Sequence, residues 1–125
     1  MMKRNEILEL SFKFALEIIA YCEILEENRK YVIARQLLKS GTSIGANIRE
    51  AQNAESNQDF IHKLKIAAKE SEETEYWLLL CEKASNYPET KNILMHLISI
   101  KKLLNSIITT MNNKSKNNPL EKQLN

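Results

Sequence analysis

Only two glycines and two prolines interrupt this 125-residue chain, and both glycines fall in one stretch, Ser40-Gly41-Thr42-Ser43-Ile44-Gly45-Ala46-Asn47-Ile48-Arg49-Glu50-Ala51. A chain with so few breakers has few places to reverse direction. Leu, Ile, Glu, Lys and Ala dominate and no β-branched alternation appears, so the expected class is all-α. Glycine inside a helix costs roughly 1 kcal/mol against alanine. Two of them four apart share one helical face, which suits a place where another backbone comes close. A kink or a break into two shorter helices is the competing reading. Close packing is the expectation adopted.

By size the chain is one domain. Apolar residues recur three and four apart in four blocks. Helix one is expected over residues 5–27, capped by Asn5, with two apolar lines. Leu8, Phe12, Ala15, Ile18, Ile19, Cys22 and Leu25 form the first, and Ile7, Leu10, Phe14, Tyr21 and Ile24 lie beside them. That arc is broader than one core needs, so either the helix is central or its second face meets another subunit. Helix two, residues 30–54, puts Tyr31, Ala34, Leu37, Leu38, Gly41, Ile44, Gly45, Ile48 and Ala51 on one stripe. Ser56 followed by Asp59 resembles a capping box for helix three. That helix continues to about residue 86, with Phe60, Leu64, Ala67, Ser71, Thr74, Leu78 and Cys81 inward. Helix four opens near Pro88 and has the most regular repeat, Ile93, Leu97, Ile100, Leu104, Ile107 and Met111, a bundle seam. Short connections force antiparallel neighbours. The expected fold is an all-α, antiparallel up-down-up-down four-helix bundle over residues 1–112, followed by a disordered polar tail over 113–125.

The formal net charge of +2 is too small to argue for nucleic acid by itself, but it is unevenly spread. Residues 88–125 carry Lys91, Lys101, Lys102, Lys114, Lys116 and Lys122 against Glu89 and Glu121, whereas residues 56–87 are net acidic. No N-terminal signal pattern appears, and Glu, His or Lys breaks the longest apolar runs short of a membrane span. A cytoplasmic protein without membrane contact is therefore expected. Cys22 and Cys81 lie in apolar helical surroundings and are expected to be buried free thiols. A ferritin-like metal site needs two Glu-x-x-His pairs. His62 has Asp59 three residues before it and His96 has Ile93, so neither metal nor cofactor is expected. No histidine stands at a suggestive offset from a nucleophile and no phosphate loop follows a strand, so the chain is not expected to be an enzyme.

Glu50, Glu70 and Glu73 could form a carboxylate pair, but surface ion pairing or subunit contact is the simpler reading. Ser40, Thr42, Ser43 and Asn47 can bond back to helix carbonyls or cross to a neighbouring helix. Alternatively Asn47, Arg49 and Glu50 form an inter-subunit network, and both readings stay open. Arg35, Lys39 and Arg49 fall nearly on one face of helix two, with Lys101, Lys102 and the tail lysines adding to them. One subunit's set would bind phosphate weakly, and repetition around a ring would make a salt-sensitive nucleic-acid surface.

Two motifs carry a resemblance. Residues 37–51, Leu37-Leu38-Lys39-Ser40 through Ile48-Arg49-Glu50-Ala51, resemble the helix-two signature of the bacterial proteins encoded in intervening sequences of large-subunit ribosomal RNA genes. Asp59-Phe60, Lys63-Leu64, Ile66-Ala67, Lys69-Glu70 and Glu73-Thr74-Glu75-Tyr76-Trp77-Leu78 resemble the helix-three signature. The resemblance spans about residues 5–111 and implies an antiparallel four-helix bundle assembling as a homopentameric ring. A related branch, the accessory proteins of diversity-generating retroelements, binds nucleic acid and a reverse transcriptase through a basic surface.

The functional expectation is a non-enzymatic, homo-oligomeric scaffold associated with RNA. Arg35, Lys39, Arg49, Lys101 and Lys102 are its candidate RNA contacts. Gly41, Gly45, Asn47, Glu50, Glu70 and Trp77 are candidates for helix packing or subunit contact. A protein-interaction adaptor without RNA affinity, for example a reverse-transcriptase partner, is the alternative.

Overall fold

The computed structural model describes residues 2–116, with side chains described from Glu6 to Lys114. It contains α1 (Met2–Glu27), α2 (Tyr31–Ala51), α3 (Asn57–Lys83) and α4 (Lys91–Lys116), and no strand among the described residues. Each helix packs on its neighbour in sequence and α4 closes back on α1. No Cα of α1 comes within 8 Å of α3, nor any of α2 within 8 Å of α4. The four helices thus form a square, up-down-up-down, around one core. Gly41 and Gly45 do not break α2, which is continuous.

Local chemistry sets the ends. After α1 the Lys30 amide donates to the Leu25 carbonyl at 2.8 Å and the Arg29 amide to Glu26 at 2.9 Å. That is a Schellman closure, with Arg29 at φ 61° in the position glycine usually takes. Tight bonds from Gln52 to Arg49, Asn53 to Glu50 and Ala54 to Ala51 end α2 three residues before the expected 54. The Ser56 hydroxyl accepts from the Asp59 amide at 3.0 Å, as the capping signal implies. Asp59 reaches back to the Glu55 amide at 3.3 Å, one residue beyond the N-cap amide that the usual box engages. Helix α3 stops at Lys83, where Ala84 turns extended, rather than at 86. Pro88 and Glu89 lie before α4 instead of opening it, and the Tyr21 hydroxyl donates to the Pro88 carbonyl at 2.8 Å. Helix α4 runs through Lys116, past the expected boundary near 112, because no proline intervenes before Pro119 and Lys114 and Lys116 favour a helix C-terminus. The rest of the expected tail, 117–125, lies outside the described residues.

The inner stripes of α3 and α4 are as expected: Phe60, Leu64, Ala67, Ser71, Thr74, Leu78 and Cys81 are buried, as are Ile93, Leu97, Ile100, Leu104, Ile107 and Met111. By length and composition alone α4 would suit a membrane span, but its seam is occupied by this core. On α1 and α2 the structure corrects the expected stripes. The buried face of α1 is Ile7, Ser11, Phe14, Ile18, Tyr21, Cys22 and Leu25, while Phe12 is 60 % exposed and Ile19 40 %. Tyr31 and Leu38 of α2 are also exposed. On α1, apolar over most of its circumference, periodicity cannot choose the inward face and the neighbouring helix chooses it, whereas on α2 Tyr31 and Leu38 fall at the edge of a largely buried stripe.

The basic face of α2 and the helix seams around it

The glycines decide how α1 meets α2. A Cβ on Gly41 would lie 2.8 and 2.9 Å from Cγ2 and Cγ1 of Ile18, and one on Gly45 would lie 3.3 Å from the Ser11 carbonyl oxygen. Both glycines have ordinary helical φ, so what they supply is space. Ser11, small and buried, supplies the matching space on α1 and bonds back to the Leu8 carbonyl at 3.2 Å. The Cys22 thiol reaches the Ala34 carbonyl at 3.4 Å, which continues the same antiparallel register.

On its other flank α2 meets α3. The Ser40 and Thr74 hydroxyls lie 3.0 Å apart in the core, and Thr74 is 2.7 Å from the Glu70 carbonyl. Lys63 reaches Glu50 at 3.6 Å on the surface, a pair worth little in water. Thr42, Ser43 and Asn47 donate to the carbonyls of Leu38, Lys39 and Ser43 at 2.7, 2.6 and 2.9 Å. Within the chain, then, these three follow the back-bonding reading, while Ser40 does both, donating to the Leu37 carbonyl at 3.5 Å and meeting Thr74 across the seam. Glu70 is partly buried; burial first, and then the charge of Glu73, pushes its carboxyl above the usual range, while nearby Lys39 pulls the other way. The Trp77 indole donates to Glu73 Oε2 at 3.1 Å, and Tyr76 meets its ring edge-on at 5.3 Å.

Arg35, Lys39 and Arg49 all point outward from α2, within about 80° of arc at helical pitch. Among the described residues none has a carboxylate within 4 Å, and neither has exposed Lys102. Lys101 differs. Its ammonium sits 2.8 Å from Glu72 and 2.7 Å from Glu75 with its side chain only 20 % exposed. Burial alone would lower its pKa, but hydrogen bonds and charge from the two carboxylates raise it overall. It therefore latches α4 to α3. Lys101 and Lys102 also belong to the helix diagonally opposite α2, so the five basic candidates do not form one patch on a single chain. Neither the Lys101 latch nor the 2.8 Å bridge from His96 to Glu17 was legible in sequence, because partners 26 and 79 positions apart leave no local pattern.

The remaining chemistry is inward. Cys22 and Cys81 are buried free thiols. Burial pushes the Cys22 thiol up to about 12, with Cys81 and Glu26 adding to it, and burial likewise raises Cys81. They stand on the diagonal pair α1 and α3, whose Cα atoms stay more than 8 Å apart, beyond disulfide reach. Among the described residues no three His, Cys, Asp or Glu side chains converge as metal ligands would.

A model of the 23S rRNA-intervening sequence protein family matches residues 3–106, which takes in α2 and α3 whole, nearly all of α1 and the first four turns of α4. The chain belongs to this family. A solved structure agrees: a protein of unknown function from the S23 ribosomal protein family of Bacteroides thetaiotaomicron is 44 % identical, with TM-score 0.81. The alignment covers 86 % of this chain and 98 % of that one. No curated protein matches. The matched span thus contains both the glycine seam and the basic face of α2, and it ends before the last turns of α4.

Proposed function

We propose that this family member is a non-enzymatic scaffold whose bundles assemble into a homo-oligomeric ring and hold RNA on the basic surface of α2. The observation that carries the RNA reading is the set Arg35, Lys39 and Arg49, outward-facing and, among the described residues, without a carboxylate within 4 Å, whereas Lys101 and Lys63 are paired with acids at the α3 seams. Three cations on one subunit give weak attachment; repeated around a ring they act together on one strand. The apolar second face of α1 supports assembly. Phe12, Leu16 and Ile19 lie outside the core at 60, 53 and 40 % exposure, although α1 is not a central helix. The register with α2 sets them beside exposed Leu38, leaving an apolar surface that a second copy would cover. The pentameric number comes from the family resemblance.

A protein-interaction adaptor, such as a reverse-transcriptase partner without RNA affinity of its own, is the second reading. The same apolar face favours it, since that face is blind to whether another copy or another protein covers it. Two measurements separate the readings. Light scattering should give a multiple of the 14.5 kDa chain mass, and a monomer mass would remove the ring. Filter binding at low salt should detect RNA, and no binding there would leave the adaptor.

A further inference from the structure

Resting on the RNA reading above, we infer that the RNA held on this face is single-stranded, with its backbone along α2 and unpaired bases stacked on Tyr76 and Trp77 of α3. The alignment of the two helices is pinned at two points, Ser40 against Thr74 at 3.0 Å and Glu50 against Lys63 at 3.6 Å. One turn beyond Thr74 on α3 therefore lies one turn before Ser40 on α2. That sets Trp77 beside Gln36, with Arg35 and Lys39 flanking it on the outer side and spaced about 6 Å along the axis. Lys39 is close enough to Glu70 to act on its carboxyl, which places it at the same seam.

Tyr76 is 57 % exposed, a large aromatic face left in water. Its ring leans on Trp77 at 66° between planes, and the indole is held by Glu73, so the pair is a fixed platform. Every base has a π-face, so aromatics beside cations suit unpaired strands, whereas an A-form duplex keeps its base faces stacked inside. The charge pattern selects in the same direction. Arg35 and Lys39 lie on α2, whereas on α3 Glu70 and Glu73 lie along the seam beside Trp77, with Lys65 and Lys69 further round that helix. A duplex would bring phosphates to both sides of the seam, against those carboxylates. A single strand can keep its phosphates on α2 and turn neutral bases toward α3.

Trp77 is the only tryptophan in the sequence, so its fluorescence reports on the site directly. The full chain is titrated at low salt with a short oligouridine and with an RNA duplex of equal length. The expected result is quenching of Trp77 by the single strand and at least tenfold weaker duplex binding. Tyr76→Ala should weaken single-strand binding about tenfold with the salt dependence unchanged, while Arg35→Gln and Lys39→Gln should each flatten it. Circular dichroism and light scattering confirm that each variant keeps its fold and mass. Equal binding of both RNAs with Tyr76→Ala silent would overturn the single-strand inference and leave the RNA reading standing. Failure of the wild-type chain to bind either RNA would remove both. A fall in oligomer mass on Tyr76→Ala would assign the aromatic pair to subunit contact and overturn the inference as well.

Discussion

Gly41 and Gly45 look alike in sequence but meet different neighbours. Alanine at either gains roughly 1 kcal/mol of helix propensity. At Gly41 the new methyl would press on both γ-carbons of fully buried Ile18, and overpacking of that kind costs about 1–3 kcal/mol. Gly41→Ala should therefore lower the denaturation midpoint, while Gly45→Ala, whose methyl would meet the Ser11 carbonyl oxygen at a tight 3.3 Å and need it to give by only a few tenths of an ångström, should stay within about 0.5 kcal/mol of wild type. A more stable Gly41→Ala would mean that the seam has slack. Arg29 makes the opposite case. Its positive φ strains any residue with a Cβ, so Arg29→Gly should stabilise by about 0.5–1 kcal/mol in urea denaturation, even though it removes a charge and a side chain. The close approach was legible from two glycines at helical spacing. Its partner was not, because a lone Ser11 inside an apolar run carries no signal of its own.

At the scale of elements, α3 and α4 could be read because polar residues mark their outer faces, and every seam residue expected there is buried. Helix α1 could not, since its apolar residues surround it and the inward face is chosen by where the α2 glycines let it settle. The diagonal placement of α1 and α3 has a chemical consequence. Cys22 and Cys81 cannot cross-link, and both thiols stay protonated in the fold. An unfolded thiol ionises near pH ~8.5, whereas Cys22 in the fold holds its proton to about 12. Because the folded value is raised, the contribution is fully present below the unfolded value and is lost as pH climbs through the folded one. Thermal midpoints should accordingly fall above pH ~9, less steeply in Cys22→Ala, and a thiol reagent should label neither cysteine until the chain unfolds.

For the whole molecule, topology followed from short connections between long helices, while assembly and ligand did not, because they depend on surfaces that have no partner within one chain. Leu16 separates the two levels. It is 53 % exposed, so Leu16→Glu should change monomer stability by no more than about 0.5 kcal/mol, yet it should lower the mass seen by light scattering if α1 is a subunit face. Unchanged mass would move the interface elsewhere. The RNA-holding scaffold itself is tested most directly by the salt dependence of RNA binding. Each single-strand phosphate contact contributes about 0.7 to the slope of log K against log salt, so three cations on one subunit give about −2 and several subunits together give more. The account predicts a slope of at least that size, flattened by Arg35→Gln, Lys39→Gln and Arg49→Gln together and untouched by Lys101→Gln, whose charge Glu72 and Glu75 already hold. No binding at low salt, or a slope indifferent to the α2 variants, would contradict it.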